Sequence, residues 1–501
     1  MDDSHRASAD RIGPGDPRYD DLTRRGVNKA YRGAPDYVRL VASTAQVVEA
    51  VQDAVREGAR IGIRSGGHCL EGFVDDPAVR ALIDTSAMTG VHHDPDRDAF
   101  AVAAGTTLGE VYRRLHRGWG VVLPAGQYPE VGVGGHVVGG AFGFLHRQHG
   151  LAVDHLEAVE VMVVDDGKTA RPLVATRAPD DPHRDLFWAH TGGGGGNFGI
   201  VTRCWFRSPG AVGADPHGFL PRAPEEVLVF RAGWRWDGLG QDGFVRLADN
   251  FGRWVEQHSA PEDPERALFS LLLLLPKPAG TVEIKGLAVG ADASRLVAEH
   301  LAALAADVGA PATRSTERLG WLDFALHPFP DLFTSAPPGA VKVKDALLRR
   351  RFSDEQLRIA YRWLSGEHGP PRGVVGFASY GGQVNAVAPD ATACPARRAI
   401  VDSACNTGWA DPADGEASLA WVRGVYGELF AGTGGAPIPG PLYDGALINH
   451  PDADHLDPTR NRSGVPWAEL YYQGNLARLR QIKTRYDPAN LFRHRMSIPP
   501  G

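Results

Sequence analysis

Glycine is concentrated in three short segments of the chain. Segments 62–72, 132–150 and 192–199 contain 17 of the 61 glycines in 38 residues, where an even spread would place only about five. The stretch 131–143 contains no Ser or Pro, which distinguishes it from a flexible linker. Because glycine has no side chain, such segments let backbone N–H groups approach an anion or a flat ring closely. The pattern predicts a folded, ligand-binding backbone.

The composition and charge exclude several classes of protein. The 501 residues carry a formal net charge of −7, whereas a nucleic-acid-binding domain shows a basic patch or a high pI. The four cysteines are scattered and form no CxxC pair, which predicts free thiols in a reducing compartment. The N-terminus lacks a secretory-type apolar segment. We therefore expect a cytoplasmic protein with no nucleic-acid partner.

The longest apolar run, at 268–276, is far shorter than the ~20 residues that a membrane-spanning helix needs. We expect it to be a buried strand, and we expect no membrane partner.

Hydrophobic periodicity predicts βα elements in the first 210 residues and a second α+β region after them. Residues up to about 35 are expected to form a loop. Helices are predicted at 43–58, with Ser43 as N-cap, and at 107–117. Strands are predicted at 36–40, 61–64, 79–84, 99–104, 159–164 and 200–206. Later elements are strands at 227–231 and 269–275, a helix at 293–308 and one C-terminal helix from Pro466 to Tyr486.

The first glycine segment ends a predicted strand with the sequence RSGGH at 64–68. Its histidine, His68, is both a base and a nucleophile, and it follows glycines whose N–H groups are accessible. On its own, the segment is equally compatible with a tight turn that carries a surface histidine.

The third glycine segment contains a G-x-G-x-x-G pattern at Gly194, Gly196 and Gly199. A dinucleotide fingerprint of this kind follows a strand and opens a helix. Here the β-branched run 200–202 follows the glycines, so a strand leaves the loop. We therefore reject an NAD site, although a pyrophosphate could still bind the backbone N–H groups.

His92, His93, His146 and His149 are not expected to bind a metal or to take part in catalysis. His146 and His149 have a spacing that could chelate a metal, but no third ligand is spaced to help, so solvated side chains are expected. His92 and His93 are expected in a loop. Aromatic positions of the last helix are expected to pack in a core. No metal site is predicted.

Taken together, these segments resemble the berberine-bridge-enzyme-like branch of the vanillyl-alcohol-oxidase superfamily of flavin-linked oxidases. The resemblance runs along essentially the whole chain. Its most specific motifs are RSGGH at 64–68, PEVGVGGHVVGGAFG at 129–143 and DLFWAHTGGGGGNFGIVT at 185–202. Weaker motifs are GGQVN at 381–385, NHPDAD at 449–454 and YYQGNLARLRQIKTRYDPANLF at 471–492.

The resemblance implies an α+β fold. It would consist of a two-part FAD-binding domain of the PCMH type and an inserted α+β substrate domain, an antiparallel sheet covered by helices. The implied bounds are 1–210 and 445–501 for the FAD-binding domain and 211–444 for the substrate domain. The implied partners are a small-molecule substrate and O2, and the protein is expected to be a monomer or homodimer.

The resemblance also implies FAD as cofactor, bound covalently by His68 to the 8α-carbon of the isoalloxazine ring. An imidazolyl substituent withdraws electron density, which would make the flavin a stronger oxidant. The other residues implied to bind FAD are Arg64, Ser65, Gly66, Gly67, Gly134, Gly135, Gly139, Gly140, Gly143, Gly196, Asn197, Gly199, Ile200, Val201, Asn449 and Asn475.

One departure from the family pattern concerns the flavin link. Many bacterial members carry a second bond from a cysteine just before PEVGVGG, where this chain has Tyr128. The nearest cysteine, Cys69, adjoins the histidine instead. We therefore expect a single link through His68 and no 6-S-cysteinyl bond, which leaves Tyr128 free to face the substrate.

A second departure concerns the catalytic pair. Relatives that oxidise sugars and polyketides typically carry Tyr-x-Asn-Tyr, where this chain has Leu-Ile-Asn-His at 447–450. A histidine base is chemically reasonable because its ordinary pKa lies near neutrality. We expect His450, with Tyr380 or Tyr128, to remove a proton from an alcohol while hydride passes to flavin N5. O2 would then reoxidise the flavin and give H2O2.

Other functions stay open at this stage. The lost tyrosines are equally compatible with an oxidative cyclase or desaturase of a biosynthetic intermediate. They are also compatible with a drug-resistance oxidase that binds a quinone, or with a flavoprotein that has lost catalysis, although the intact glycine segments argue against the last. Many relatives act late in bacterial natural-product pathways, so we expect a substrate from antibiotic biosynthesis.

Overall fold

The structure is a computed structural model that describes residues 9–329, 339–366 and 373–501. Its strands are β1 (Arg11–Ile12), β2 (Tyr37–Leu40), β3 (Ile61–Arg64), β4 (Ala81–Asp84), β5 (Val91–Asp94), β6 (Ala99–Ala103), β7 (Leu156–Asp165), β8 (Thr169–Thr176), β9 (Ile200–Phe206), β10 (Glu226–Arg235), β11 (Leu268–Leu274), β12 (Thr281–Val289), β13 (Thr313–Gly320), β14 (Ala340–Leu348), β15 (Val374–Ser379) and β16 (Val401–Trp409).

The helices are α1 (Tyr19–Thr23), α2 (Thr44–Glu57), α3 (Leu108–Trp119), α4 (Val133–His136), α5 (His146–His149), α6 (Arg184–Ala189), α7 (Trp236–Gln257), α8 (Ala293–Ala305), α9 (Trp321–Leu326), α10 (Asp354–Ser365), α11 (Gly415–Leu429), α12 (Trp467–Tyr472) and α13 (Leu476–Tyr486). Among the described residues, no helix combines the length and apolarity that crossing a membrane requires.

The chain divides into two compact units. The first consists of Met1–Ala141, Ala152–Arg222 and Asn475–Gly501, and the second of Phe142–Leu151 and Ala223–Gly474. These units differ from the expected domain bounds at 142–151 and 445–474, which belong to the second unit, and at 211–222, which belong to the first. The α+β class predicted for the chain is confirmed.

The first unit contains two sheets. A four-stranded sheet has the order β1-β2-β4-β3, with β2 and β3 parallel to β4, and a five-stranded antiparallel sheet has the order β5-β6-β9-β7-β8. Helix α2 begins where the Ser43 hydroxyl accepts the N–H of Gln46, and it ends at Gly58 with φ 63°. Its apolar stripe packs in one core with residues of β3 and β4. The predicted helix and its predicted cap are therefore confirmed.

The second unit is built on a seven-stranded antiparallel sheet of order β13-β10-β12-β11-β15-β16-β14. Alternate residues of these strands, except β13, pack against α7, α8, α10 and α11 in one hydrophobic core. Every residue of β11 is buried, as expected for the apolar run at 268–276. The strand register places Asp345, Asp402 and Ala404 on the opposite face of the sheet, because their neighbours in sequence face the helices.

Three expectations about local structure are wrong. β1 and α1 lie in the region expected to be a loop. His92 and His93 lie in β5, opposite Ala101 and Phe100, where a short edge strand has no apolar alternation to reveal it. The expected single C-terminal helix is broken at Gln473, whose φ is 46°. The side chain of Gln473 donates to the backbone carbonyl of Asp444 at 2.8 Å, which stabilises this break.

Candidate functional site

The first two glycine segments contact each other through their backbones. A Cβ atom on Gly66 would lie 2.3 Å from the nitrogen of Gly132, and one on Gly132 would lie 2.4 Å from the nitrogen of Gly66. Gly134 donates its N–H to the carbonyl of Ala104 at 2.8 Å, and its added Cβ would lie 2.9 Å from the Ala104 Cβ. These positions need glycine because the backbone segments approach each other too closely for any side chain.

Several backbone N–H groups of the first and third glycine segments form no hydrogen bond with the described part of the chain. Among the described residues, those of Gly66, Gly67 and His68 meet no hydrogen-bond acceptor, and neither do those of Gly195 and Gly196. Gly67 and Gly196 have φ of 79° and 71°. Successive N–H groups in such conformations form anion-binding concavities. These unpaired donors fit the pyrophosphate of a flavin nucleotide.

The third glycine segment is held in shape by Asn197 and by the C-terminal region. Asn197 Nδ2 donates to the carbonyl of Gly193 at 2.8 Å, and its Oδ1 accepts the N–H of Ile498 at 2.8 Å. The buried ammonium of Lys483 donates to the Asn197 carbonyl at 2.5 Å and to Asp487 at 2.6 Å. The Asn197 side chain therefore shapes the loop that presents the glycines.

In the RSGGH segment, the side chains of Arg64 and Ser65 form hydrogen bonds within the protein, whereas that of His68 does not. Arg64 Nε donates to Asp84 at 2.9 Å, and Ser65 Oγ donates to the carbonyl of Ala104 at 2.7 Å. His68 is half-buried, and its ring forms no hydrogen bond or ion pair with the described part of the chain. Burial lowers the pKa of His68. Its imidazole is therefore neutral, with ring nitrogens available for reaction.

The remaining predicted flavin residues of the first unit have different environments. Gly139 and Gly140 are buried, and Gly140 has a φ of 119°. Gly135 is exposed, with nothing within 4 Å of an added Cβ. Gly199 has a φ of 148°, which favours glycine. Ile200, Val201 and Asn475 are buried, the first two within β9.

The thiol beside His68 is not poised to react. Cys69 Sγ donates to the carbonyl of Glu71 at 2.9 Å, and burial raises its pKa to about 12. Tyr128, also in the first unit, is half-buried, and burial raises the pKa of its phenol. Both groups therefore stay protonated at neutral pH.

The second unit gathers histidine and tyrosine side chains around Phe142. The Phe142 ring centroid lies 5.3 Å from that of His146, 5.7 Å from Tyr380 and 5.8 Å from His450. Contrary to the expectation of a solvated side chain, His146 is fully buried, with Nδ1 against the carbonyl of Gly143. Burial lowers the pKa of His146 to about 3. Gly143 and Asn449, which the resemblance implied to bind FAD, also lie in the second unit.

The segment that carries His146 is fixed by its neighbour Arg147. The buried guanidinium of Arg147 donates to the backbone carbonyls of His258, Glu265 and Leu268. A Cβ on Gly382 would lie 2.3 Å from the Arg147 carbonyl, which explains the glycine in GGQVN. A buried arginine thus holds the segment whose histidines, His146 and His149, were expected to be solvated.

His450 and Tyr380 are the polar groups best placed for proton chemistry. Burial lowers the pKa of His450 to about 4, so its ring is neutral at pH 7 and able to accept a proton. The Tyr380 hydroxyl is buried and has no hydrogen-bond partner in the described ranges. Burial raises the pKa of Tyr380 well above its ordinary value, so the phenol keeps its proton.

Two buried aspartates beside His450 were not predicted from the sequence. Asp345 in β14 and Asp402 in β16 have exposed fractions of 0% and 3%. One oxygen of each and a ring nitrogen of His450 lie within 4.8 Å of one another. The available signal was an aspartate inside a strand that is otherwise mostly apolar or small, as in VDSACNTGW at 401–409. Such a residue is rarely buried without a reason.

Asp452 anchors the loop that carries His450. Asp452 accepts from the buried ammonium groups of Lys342, at 2.7 Å, and Lys344. Its N–H donates to the Tyr471 hydroxyl at 3.0 Å, so the buried aromatic tail residue Tyr471 also holds this loop. These ion pairs hold the pKa of Asp452 far below its ordinary value.

Comparisons with known proteins agree with these features. Residues 35–171 match the FAD binding domain model, and residues 446–499 match the "Berberine and berberine like" model. The chain is 48% identical over 493 residues to aclacinomycin-N/aclacinomycin-A oxidase of Streptomyces galilaeus, covering 97% of this chain and 89% of the relative.

Solved structures show the same likeness. A glycopeptide hexose oxidase complexed with teicoplanin superposes with a TM-score of 0.93 at 43% identity, covering 99% of both chains. The oxidoreductase of the terminal step of gilvocarcin biosynthesis, in complex with pregilvocarcin, gives 0.93 at 38% identity, covering 98% of this chain and 99% of that one. Fold and glycine segments together define an FAD-linked oxidoreductase. The chain belongs to the berberine-bridge-enzyme-like family of FAD-linked oxidases.

Proposed function

We propose that this protein oxidises an alcohol or a related group of a natural-product substrate, with O2 as the final electron acceptor and H2O2 as a product. Its end-to-end similarity to aclacinomycin oxidase carries this proposal. The relative that acts in gilvocarcin biosynthesis supports the same substrate class. When bound, the flavin supplies the hydride-accepting and O2-reducing chemistry.

In this proposal His450 accepts the proton of the substrate hydroxyl, because its half-buried ring is neutral at pH 7. Tyr380, which keeps its proton, donates a hydrogen bond to the substrate oxygen through a hydroxyl that no described residue occupies. The Phe142 ring packs edge-on against both side chains. Tyr128 is a further phenolic donor.

We propose further that His68 alone links FAD covalently. Its neutral, unengaged imidazole can form the bond, whereas the high pKa of Cys69 keeps that thiol from competing as a thiolate. The unpaired N–H groups of Gly66, Gly67 and Gly196 would hold the pyrophosphate. The other flavin residues named from the sequence belong to the same proposal. The four free cysteines favour a cytoplasmic location.

An oxygen-consumption assay tests the oxidase function. Purified protein in air-saturated buffer is mixed with aclacinomycin A, teicoplanin or a hexose, each chosen from the names of the relatives. We expect peroxide to form in equal amount to the O2 consumed, with a carbonyl product, on at least one of these compounds. The matched control is the same mixture without O2, in which the flavin should bleach and no peroxide should form.

Other outcomes of this assay would favour one of the alternative functions, a desaturase or cyclase or a drug-resistance oxidase. A product that has lost two hydrogens across a C–C or C–N bond, without a new carbonyl, would replace the alcohol oxidase by a desaturase or cyclase. Tight binding of a quinone without turnover of any alcohol would favour the drug-resistance oxidase.

A further inference from the structure

The carboxyl groups of Asp345 and Asp402 are buried without a countercharge. Among the described residues, no Lys or Arg forms an ion pair with either one, since Lys342 and Lys344 bind Asp452 and, for Lys344, Asp454. Asp345 Oδ1 and Asp402 Oδ1 are buried and have no hydrogen-bond partner in the same ranges. Asp345 Oδ2 accepts the N–H of Leu447 at 3.1 Å. Such a pair must bind a proton or a cation.

The surrounding elements add negative charge and proton donors to this pair. The loop after residue 446 contributes His450, whose Nδ1 lies 4.0 Å from Asp345 Oδ2, and the anionic Asp452. The phenol of Tyr380, after β15, also lies near the pair. Tyr426, on α11 at the helix-covered face of the sheet, donates its hydroxyl to the backbone carbonyl of Asp345.

These surroundings prevent both carboxyls from being ionised at neutral pH. Burial, and then the charge of Asp402, raise the pKa of Asp345 well above its ordinary value. Burial raises the pKa of Asp402 to about 7. His450 differs, because its pKa of about 4 prevents it from keeping a proton in neutral solution. A proton received by His450 therefore moves on to the pair.

Building on the proposed function, we propose that the Asp345–Asp402 carboxyl pair is the final acceptor of the substrate proton, and that His450 relays the proton to it. The substrate O–H bond breaks and its proton binds a ring nitrogen of His450. The C–H bond breaks with both electrons leaving as hydride to the flavin, so a C=O bond forms. The imidazolium then gives its proton to the ionised carboxylate of the pair and becomes neutral again.

The 4.0 Å separation between His450 Nδ1 and Asp345 Oδ2 is longer than a hydrogen bond. Catalytic contacts are often long without substrate and tighten in the reactive complex. The pair acts through His450 and does not contact the reacting atoms, so Asp345 and Asp402 are positioning residues. The same three groups would also suit a divalent cation, which would hold both carboxyls ionised.

Thermal unfolding against pH tests the pair independently of catalysis. A carboxyl whose folded pKa is raised stabilises the protein below its unfolded pKa, near 4, and loses that contribution as pH rises through about 7. Asp402→Asn stays neutral throughout. We therefore expect its Tm to exceed that of the wild type by about 2–4 °C at pH 8, with the difference vanishing towards pH 4.

The matched control is Asp452→Asn, which removes a carboxylate that is paired with two buried lysines. Its Tm should fall at pH 8, opposite in sign to Asp402→Asn. A Tm for Asp402→Asn that is lower than or equal to the wild-type value at pH 8 overturns the proposal. One equivalent of a divalent cation in purified wild-type protein, measured by mass spectrometry, overturns it as well.

The relay itself is tested by flavin reduction on the substrate that releases peroxide in the wild type. We expect Asp402→Asn to lower the maximal rate at least about 10-fold with KM unchanged, to remove the rise of the rate through pH 7, and to be rescued by Asp402→Glu. An unchanged rate and pH profile overturn the relay. Because the Tm test needs no substrate, failure of the oxidase proposal and failure of the carboxyl pair are distinguishable.

Discussion

Replacing His450 by glutamine is expected to slow reduction of the flavin by substrate about 10²- to 10⁴-fold, which is the usual contribution of a positioned base. Glutamine keeps polar atoms at the site but cannot accept the substrate proton. The rate is measured by anaerobic stopped-flow on the substrate that releases peroxide. In the wild type the rate should fall as pH drops through about 7, where the carboxyl pair gains a proton. It should fall again through about 4, because the protonated ring can no longer act as a base.

The matched control for this variant is His327→Gln. His327 belongs to the same unit, and its side chain is 76% exposed beside Asp323. In the His327→Gln variant, the substrate should reduce the flavin at the wild-type rate. If the same held for His450→Gln, His450 would have no part in the proton transfer, and the relay to the aspartate pair would lose its first step.

Replacing Gly132 by alanine is expected to destabilise the first unit by about 1–3 kcal/mol, a typical cost of overpacking, and to reduce flavin content sharply. The added Cβ would lie 2.2 Å from Ser65 Oγ and 2.4 Å from the nitrogen of Gly66. Ser65 can rotate, but the backbone of Gly66 must move, and its N–H group belongs to the proposed pyrophosphate site. Thermal unfolding and the flavin-to-protein absorbance ratio measure the two effects.

Gly135→Ala provides the control in the same segment. Nothing lies within 4 Å of a Cβ at Gly135, so its Tm without flavin should match the wild type. Normal stability and normal flavin content in Gly132→Ala would contradict the close backbone contact described above.

Local signals in the sequence predict much of the fold. The Ser43 cap, the β-branched start of β9 and the buried run of β11 each depend on neighbours in sequence, and the structure has all three. The glycine segments are predictable for the same reason, because a close backbone approach excludes side chains wherever it occurs. The helix break at Gln473 was not predictable, since its partner is the carbonyl of the distant Asp444.

The aspartate pair shows why part of the site escapes sequence reasoning. Asp345 and Asp402 meet only because β14 pairs with β16 in a register that joins Leu347 to Asp402 and Asp345 to Ala404. Register is a long-range property that no single strand carries. The burial of His146 is similar, because it depends on carbonyls near residues 258–268 that bind its neighbour Arg147.

The most direct test of the central claim is the location of the flavin in the folded, purified protein. After acid denaturation and proteolysis, mass spectrometry should find one FAD-derived mass addition, on the peptide that contains His68 and on no other. His68→Ala should give a colourless acid pellet. Yellow colour that washes out of the wild-type pellet, or a second crosslink at Cys69, would contradict a single histidyl bond to FAD.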